Sequence, residues 1–303
     1  MRWDDFRRSE NVEDERGGGY GGGGGGFGLP IGGGGMGIGT IVVLGLIGWA
    51  LGIDPRMLIG GAEMMDRGRQ ERPYNPSTRT GVPNDQMGQF VAAVLGNTED
   101  TWREIFQQGG GQYRPPKLRL FDGQVQSACG MAQSASGPFY CPRDQRIYLD
   151  TSFFRDLQVR FRGCSGNKAC EFSEAYVIAH EVGHHVQNLL GVLPRVHQQQ
   201  QAAGSKAEAN RLQVRVELQA DCFAGVWANR SEKRKSFMDP GDVDQALQTA
   251  SAIGDDRLQK QARGYVVPDA FTHGSSEQRK RWFMTGFNSG TVSACNTFAA
   301  TQL

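Results

Sequence analysis

The sequence predicts an α+β fold, a helical domain with a small mixed sheet set behind one N-terminal transmembrane helix. Three observations carry that expectation. Apolar residues recur at helical spacing, as in Met87, Phe90, Val91, Val94 and Leu95. Short alternating runs such as Lys117–Phe121 (KLRLF), closed by Asp122-Gly123, read as strands ending in a turn. Ile31 to Ile53 carries no charge, in a chain of 303 residues of which 21% are charged. That contrast sets the stretch apart as a membrane span.

Taken in order, residues 1–36 read as a disordered, glycine-rich N-terminal tail. Residues 1–16 are polar and charged without apolar periodicity, and glycine dominates from 17 onward. No strand precedes the glycines and no Gly-Lys-Ser/Thr follows, which excludes a phosphate loop. Residues 37–53 form the expected anchor, densest over Ile38–Ile53, with Trp49 suited to an interface. A cleaved signal peptide fits poorly, because the apolar run starts late and no small-x-small site follows. Arginines flank both sides, so charge does not set an orientation. Residues 54–83, punctuated by Pro55, Pro73, Pro76 and Pro83, read as a linker, and the globular domain spans 84–303.

Inside that domain, Asn97 and Thr98 mark a break before a second helical stripe of Trp102, Ile105 and Phe106. Phe139–Cys141 and Arg146–Leu149 are strand candidates. The small-residue stretch 127–138 is equally an ordinary loop or an edge strand able to pair with an extended substrate. Phe153–Phe161 is a short helix. Ser173 caps a helix that runs to about Leu190, where Gly191 and Pro194 stop it. Residues 207–230 are strongly helical, and Ser275 or Ser276 caps a last helix.

There are six cysteines: Cys129, Cys141, Cys164, Cys170, Cys222 and Cys295. All lie C-terminal to the apolar run, and none forms a C-x-x-C pair. An even count on one side of a membrane segment points to disulfides in an oxidising compartment, with the domain outside the cytoplasm. Neighbour pairing (129–141, 164–170, 222–295) is expected because short loops close most easily. A net charge of +1 gives no reason to expect nucleic acid as a partner.

The chemistry concentrates in Val177–Val186 (VIAHEVGHHV), which holds three of the five histidines. His180 and His184 are four apart, so on a helix both imidazoles aim at one point, an arrangement suited to a single zinc ion. Glu181 lies beside that face, within reach of a water at the metal rather than the metal itself, the position of a general base. His185 falls off the face and reads as a residue supporting the ligands from behind or as a packing residue, and His197 as a surface one. Zinc needs a third protein ligand, and Glu217, in the sequence Glu217-Leu-Gln-Ala-Asp221, is the candidate. Asp221, four residues on, is placed to accept the free N–H of a zinc histidine, His180 first. His273 precedes the last helix. A histidine or arginine there could donate to the oxyanion of a tetrahedral intermediate, although a capping loop explains it nearly as well.

H-E-x-x-H followed by E-x-x-x-D on a second helix resembles the gluzincin metallopeptidases. Thr272-His273, with Arg279 six residues later, is similar to a threonine-histidine-proline-proline loop of membrane-linked metallopeptidases, although Gly274 and Ser275 stand where the prolines would be. The whole layout most resembles the bacterial neutral zinc metallopeptidases, the YpfJ-like proteins: a charged N-terminus, a glycine tract, an apolar segment, then VIAHEVGHHVQ and ELQADCFAGVWA. The resemblance implies a zincin-like domain, zinc and peptidase activity. The expectation is therefore a zinc endopeptidase acting on polypeptides, single-pass in the bacterial plasma membrane, with its domain on the periplasmic side. Its rivals are a non-catalytic zinc-stabilised interaction protein and a zinc amidase of cell-wall peptides.

Overall fold

A computed structural model of the chain describes residues 1–17, 79–133, 137–159, 164 and 167–303. Residues 1–17 and 78–303 belong to one unit, and the segment expected to be a disordered tail is part of its core. Met1, Trp3, Phe6 and Val12 are buried. Trp3 packs edge-on against Phe90, and Phe6 against Phe237. The polar residues between them are paired. Ser9 Oγ and Asn11 Nδ2 donate to the buried Glu99 carboxylate at 2.5 and 2.9 Å, and Arg7 donates to it at 2.6 Å. Irregular apolar spacing here reflects anchoring by scattered side chains, which a periodicity argument cannot register.

The main sheet has five strands in the order β2-β1-β3-β7-β6. They are β1 (Val12–Asp14), β2 (Arg79–Thr80), β3 (Lys117–Phe121), β6 (Phe139–Cys141) and β7 (Arg146–Asp150). β1, β3 and β7 run parallel, and both outer strands are antiparallel to their neighbours. β4 (Gln124–Ser127) and β5 (Gly130–Gln133) make a separate hairpin, so the small-residue stretch begins as a strand of that hairpin. The Cys129–Cys141 disulfide ties the hairpin to β6.

The single membrane anchor is overturned. No helix among the described residues is long and apolar enough to cross a membrane, and the expected span 37–53 lies outside the described residues. The pairing of β1 with β2 adds a topological reason: Glu13 faces Thr80 and Asp14 faces Arg79. A single crossing between residues 17 and 79 would put two hydrogen-bonded strands on opposite sides of a bilayer. The fold class is corrected to α+β, helical with a small mixed sheet and no supported transmembrane helix. The single-pass plasma-membrane localisation falls with the anchor.

Eight α-helices lie among the described residues. α1 (Gln86–Gln108) is capped by Asp85 and runs unbroken through Asn97 and Thr98. The expected break fails because both polar side chains are satisfied in place. Thr98 Oγ1 donates back to the Leu95 carbonyl at 2.7 Å, and Asn97 Oδ1 accepts from Trp227 and Ser231 at 2.7 and 2.6 Å. α2 is Ser152–Val159 and α3 is Asn167–Leu189. Ser173 does not cap α3, which starts six residues earlier beside the Cys164–Cys170 disulfide; its Oγ reaches the Gln245 carbonyl at 3.4 Å. α4 (Val192–Ala202) follows.

α5 (Lys206–Lys235) is capped by Ser205, whose side chain accepts from the Glu208 N–H, and ends in Lys233, Arg234 and Lys235, the charge its C-terminal dipole favours. α6 (Asp242–Ala252), α7 (Asp255–Arg263) and α8 (Ser276–Ser289) complete the set. Ser275 caps α8 in a reciprocal box with Gln278. α8 lies backbone-close on α5, because a Cβ on Gly225 would overlap the Phe283 carbonyl and one on Gly286 the Cys222 carbonyl. The Cys222–Cys295 disulfide pins the C-terminal turn to α5, so all three expected pairings form.

Candidate active site

The site is made where α3 passes α5. Gly183 stands at the contact: a Cβ there would lie 3.0 Å from the Ala220 carbonyl oxygen. The small residue between the two histidines is what lets α5 come near. His180 and His184, one helical turn apart, present rings 4.7 Å apart at 88° to each other. Their Nε2 atoms converge on one oxygen, Glu217 Oε2, at 3.2 and 3.4 Å. The ligand atoms of these three residues all lie within 4.8 Å of one another. A tetrahedral zinc site with bonds of about 2.0–2.1 Å separates its ligand atoms by about 3.3–3.4 Å, so the spacing of the carboxylate from both imidazoles fits that ion. The donor set, two imidazoles and one carboxylate, fits as well.

Electrostatics point the same way. Burial works against a charged imidazole at both positions. With no metal bound, Asp221 outweighs it at His180, whose pKa is raised, and Glu217 outweighs it at His184, whose pKa rises to about 9. Burial also disfavours the Glu217 carboxylate, but His184 and His180 hold its pKa well below the usual range. A buried carboxylate facing two imidazoles suits a cation that takes the place of their protons. Glu217 Oε1, the oxygen turned away, accepts from Gln213 Nε2 at 2.8 Å.

Asp221, expected behind His180, is there. It is fully buried and accepts the His180 Nδ1–H at 2.8 Å, which leaves Nε2 free to face Glu217. Two further donors hold it. Arg279 reaches it twice, through Nε and Nη2 at 2.8 Å each, and the Tyr176 hydroxyl donates at 2.5 Å. Arg279 is thus committed to Asp221, behind the candidate ligand His180. Burial pushes the Asp221 carboxyl up, but Arg279 brings it down to about 2.

Glu181 is buried on the same turn of α3 as His180, and its charge helps raise the His184 pKa. His185 is buried away from the site, donating from Nε2 to the Arg114 carbonyl at 2.7 Å and accepting at Nδ1 from the Tyr140 hydroxyl at 3.1 Å. Burial lowers its pKa to about 4, so it stays neutral. His197 is exposed on α4.

His273 lies on the loop before α8, half-exposed, and near enough to Glu217 for its charge to lower that pKa. The loop is organised by Asp255, the first residue of α7. Its buried Oδ2 accepts the backbone N–H groups of Thr272, His273 and Gly274 at 2.7, 2.6 and 3.0 Å, while Oδ1 lies 3.3 Å from His273 Nδ1. Sequence reasoning missed Asp255, which is eighteen residues from His273 and carries no motif. Tyr176 and Gln187 were missed too. Both sit at helical spacing from a ligand, four before His180 and three after His184, and that spacing was the available signal.

Comparison with known proteins gives the family of the chain. The Escherichia coli (strain K12) protein named "Uncharacterized protein YpfJ" is 47% identical over 301 residues, covering 98% of this chain and 99% of that one. The Mycobacterium tuberculosis (strain ATCC 25618 / H37Rv) protein named "Uncharacterized protein Rv2575" is 41% identical over 264 residues, covering 84% of this chain and 85% of the other. No solved structure matches significantly. A family description, "Putative neutral zinc metallopeptidase", matches residues 1–298, a span that takes in the N-terminal strand as well as both ligand helices. The chain belongs to that neutral zinc metallopeptidase family.

Proposed function

We propose that the chain is a zinc-dependent endopeptidase that hydrolyses polypeptides, with His180, His184 and Glu217 as the protein ligands of one ion. The observation that carries this reading is the convergence of both Nε2 atoms on Glu217 Oε2, with Glu181 buried beside them. A zinc ion held there supplies Lewis acidity, bringing the pKa of a water to about 7 and polarising a carbonyl. The chain's own residues do the rest. Glu181 takes the proton of the attacking water and returns it to the leaving amine. His273, held at Nδ1 by Asp255, donates from Nε2 to the carbonyl oxygen as negative charge builds on it. Asp221 keeps the His180 proton on Nδ1, and the Arg279 guanidinium keeps Asp221 ionised.

The test is Glu181→Gln in the full chain, assayed on casein and, in parallel, on peptidoglycan fragments. Zinc content should stay at the parent level while casein cleavage falls by at least about 10²–10⁴-fold. Cleavage of peptidoglycan fragments alone would favour the amidase reading, and cleavage of casein unchanged by the substitution would reject Glu181 as the base.

A further inference from the structure

The two imidazoles facing Glu217 are backed in different ways. His180 Nδ1 meets a carboxylate, which only accepts, so its proton is placed without ambiguity. His184 Nδ1 lies 2.8 Å from the side-chain amide of Gln187. An amide can present either an oxygen or an NH2. An NH2 there would drive the histidine proton onto Nε2, the nitrogen that faces Glu217.

The surroundings of Gln187 settle its orientation. The residue is completely buried, and its far end lies 2.7 Å from the Val216 carbonyl oxygen and 3.0 Å from the Gln219 amide. Gln219 is itself buried, and its other end lies 2.9 Å from the Cys295 carbonyl oxygen. Both backbone carbonyls only accept. The Cys295 carbonyl therefore takes the Gln219 NH2, which turns Gln219 Oε1 toward Gln187. The Val216 carbonyl and Gln219 Oε1 together take the Gln187 NH2. Gln187 Oε1 is left to accept from His184 Nδ1–H. Flipping either amide would set two oxygens against each other in a buried place, at the cost of an unsatisfied polar group.

We infer that Gln187 is a positioning residue for His184, the end of a one-way relay running from the Cys295 carbonyl through Gln219, which holds the proton on Nδ1 and makes Nε2 the nitrogen that gives up its proton to a metal. The inference rests on the zinc reading of the site. It explains why an amide and not a carboxylate stands here: the position must accept from the histidine and donate to Val216 at once. The far end of the relay is fixed independently, because Cys295 is disulfide-bonded to Cys222 on the same helix as Glu217.

The experiment uses the full chain and zinc itself. Zinc affinity is measured by chelator competition for the parent, Glu217→Ala, Gln187→Met and Gln219→Met, beside the melting temperature of each without metal. Gln187→Met keeps the length of the side chain and should weaken zinc binding by about 10–100-fold. Gln219→Met should cost several-fold less, since Val216 still orients Gln187. A merely packing role would instead make the affinity loss follow the melting temperatures. A measurement on the parent needs no variant: in the zinc-loaded chain with nitrogen-15 histidine, the His184 Nδ1–H should exchange slowly with water. Zinc affinity within threefold of the parent in Gln187→Met, while Glu217→Ala loses it, overturns the inference and leaves the zinc reading intact. So does a His184 Nδ1–H that exchanges as fast as free imidazole. A parent chain that takes up no zinc overturns both.

Discussion

Replacing Asp221 by asparagine should destabilise the protein by about 3–5 kcal/mol, the usual cost of removing one partner of a buried ion pair. The carboxylate is fully buried and takes two hydrogen bonds from Arg279, one from His180 and one from Tyr176. Asparagine keeps the shape but exchanges one acceptor oxygen for an NH2 among groups that all donate. It also strands a guanidinium that is 3% exposed. The pH dependence has a definite sign. Burial raises the Asp221 pKa and Arg279 outweighs it, bringing the value from 3.8 to about 2. A depressed carboxylate contributes stability that is complete above its unfolded pKa and is lost as pH falls through the folded one. The gap between parent and variant should therefore be constant at neutral pH and narrow below pH 3.8. Urea unfolding in the presence of a chelator reads it directly. The double variant Asp221→Asn/Arg279→Met removes the charge together with its partner and should regain at least half of the loss. A single-variant loss under about 1 kcal/mol at pH 7, or a double variant no more stable than the single, would refute the argument.

Deleting residues 2–17 removes an internal strand and the donors to Glu99, so the remaining chain should fail to give a cooperative thermal transition. Asp255→Ala should lower kcat on peptide substrates by about 10²-fold with zinc content unchanged, because it frees the loop that carries His273; an unchanged kcat would remove His273 from the reaction. Without metal, the His184–Glu217 pair should stabilise the fold fully between pH 4.5 and 6.5, where both groups are charged, and lose that contribution as pH rises through about 9. Zinc affinity should run the other way and fall with falling pH, as ligand protons compete; melts and chelator competition across pH 6–10 check both. Gly286→Ala should lose both stability and zinc affinity, because the Cβ overlaps the Cys222 carbonyl and displaces α8, which carries Arg279. Gly96→Ala, whose Cβ meets the Arg7 backbone far from the ligands, should lose stability alone.

What could be read ahead of the structure was whatever is local. His180 and His184 share a helix, so spacing alone put them on one face. Glu217 and Asp221 share another, and their four-residue interval held in the same way. Two disulfides close short loops, of 12 and 6 residues, whereas the third, across 73, pairs the two cysteines that remain. What could not be read was held by distant partners. Asn97 looked like a helix break because its amide prefers local bonds, yet Trp227 and Ser231 satisfy it inside α1. Residues 1–16 looked like a tail because their charges have no local complement; Glu99 and the sheet supply one. The apolar run 37–53 invites a membrane reading from composition alone; no helix among the described residues is long and apolar enough to cross a membrane, and β1 and β2, on either side of the run, pair in one sheet.

The same contrast ties the candidate metal site to parts of the fold that never touch it. Two helices supply all three candidate ligands, so their separation is the variable that matters, and Gly183 sets it from the inside. From the outside it is set by α8, which packs on α5 through Gly225 and Gly286 and sends Arg279 back to Asp221. His180 thus depends on a charge carried by α8, and His184 on two amides oriented by the C-terminal turn. One imidazole is backed by an ion pair and the other by neutral hydrogen bonds. Low pH acts on the first by protonating Asp221, whereas the second depends on the packing that orients its amides.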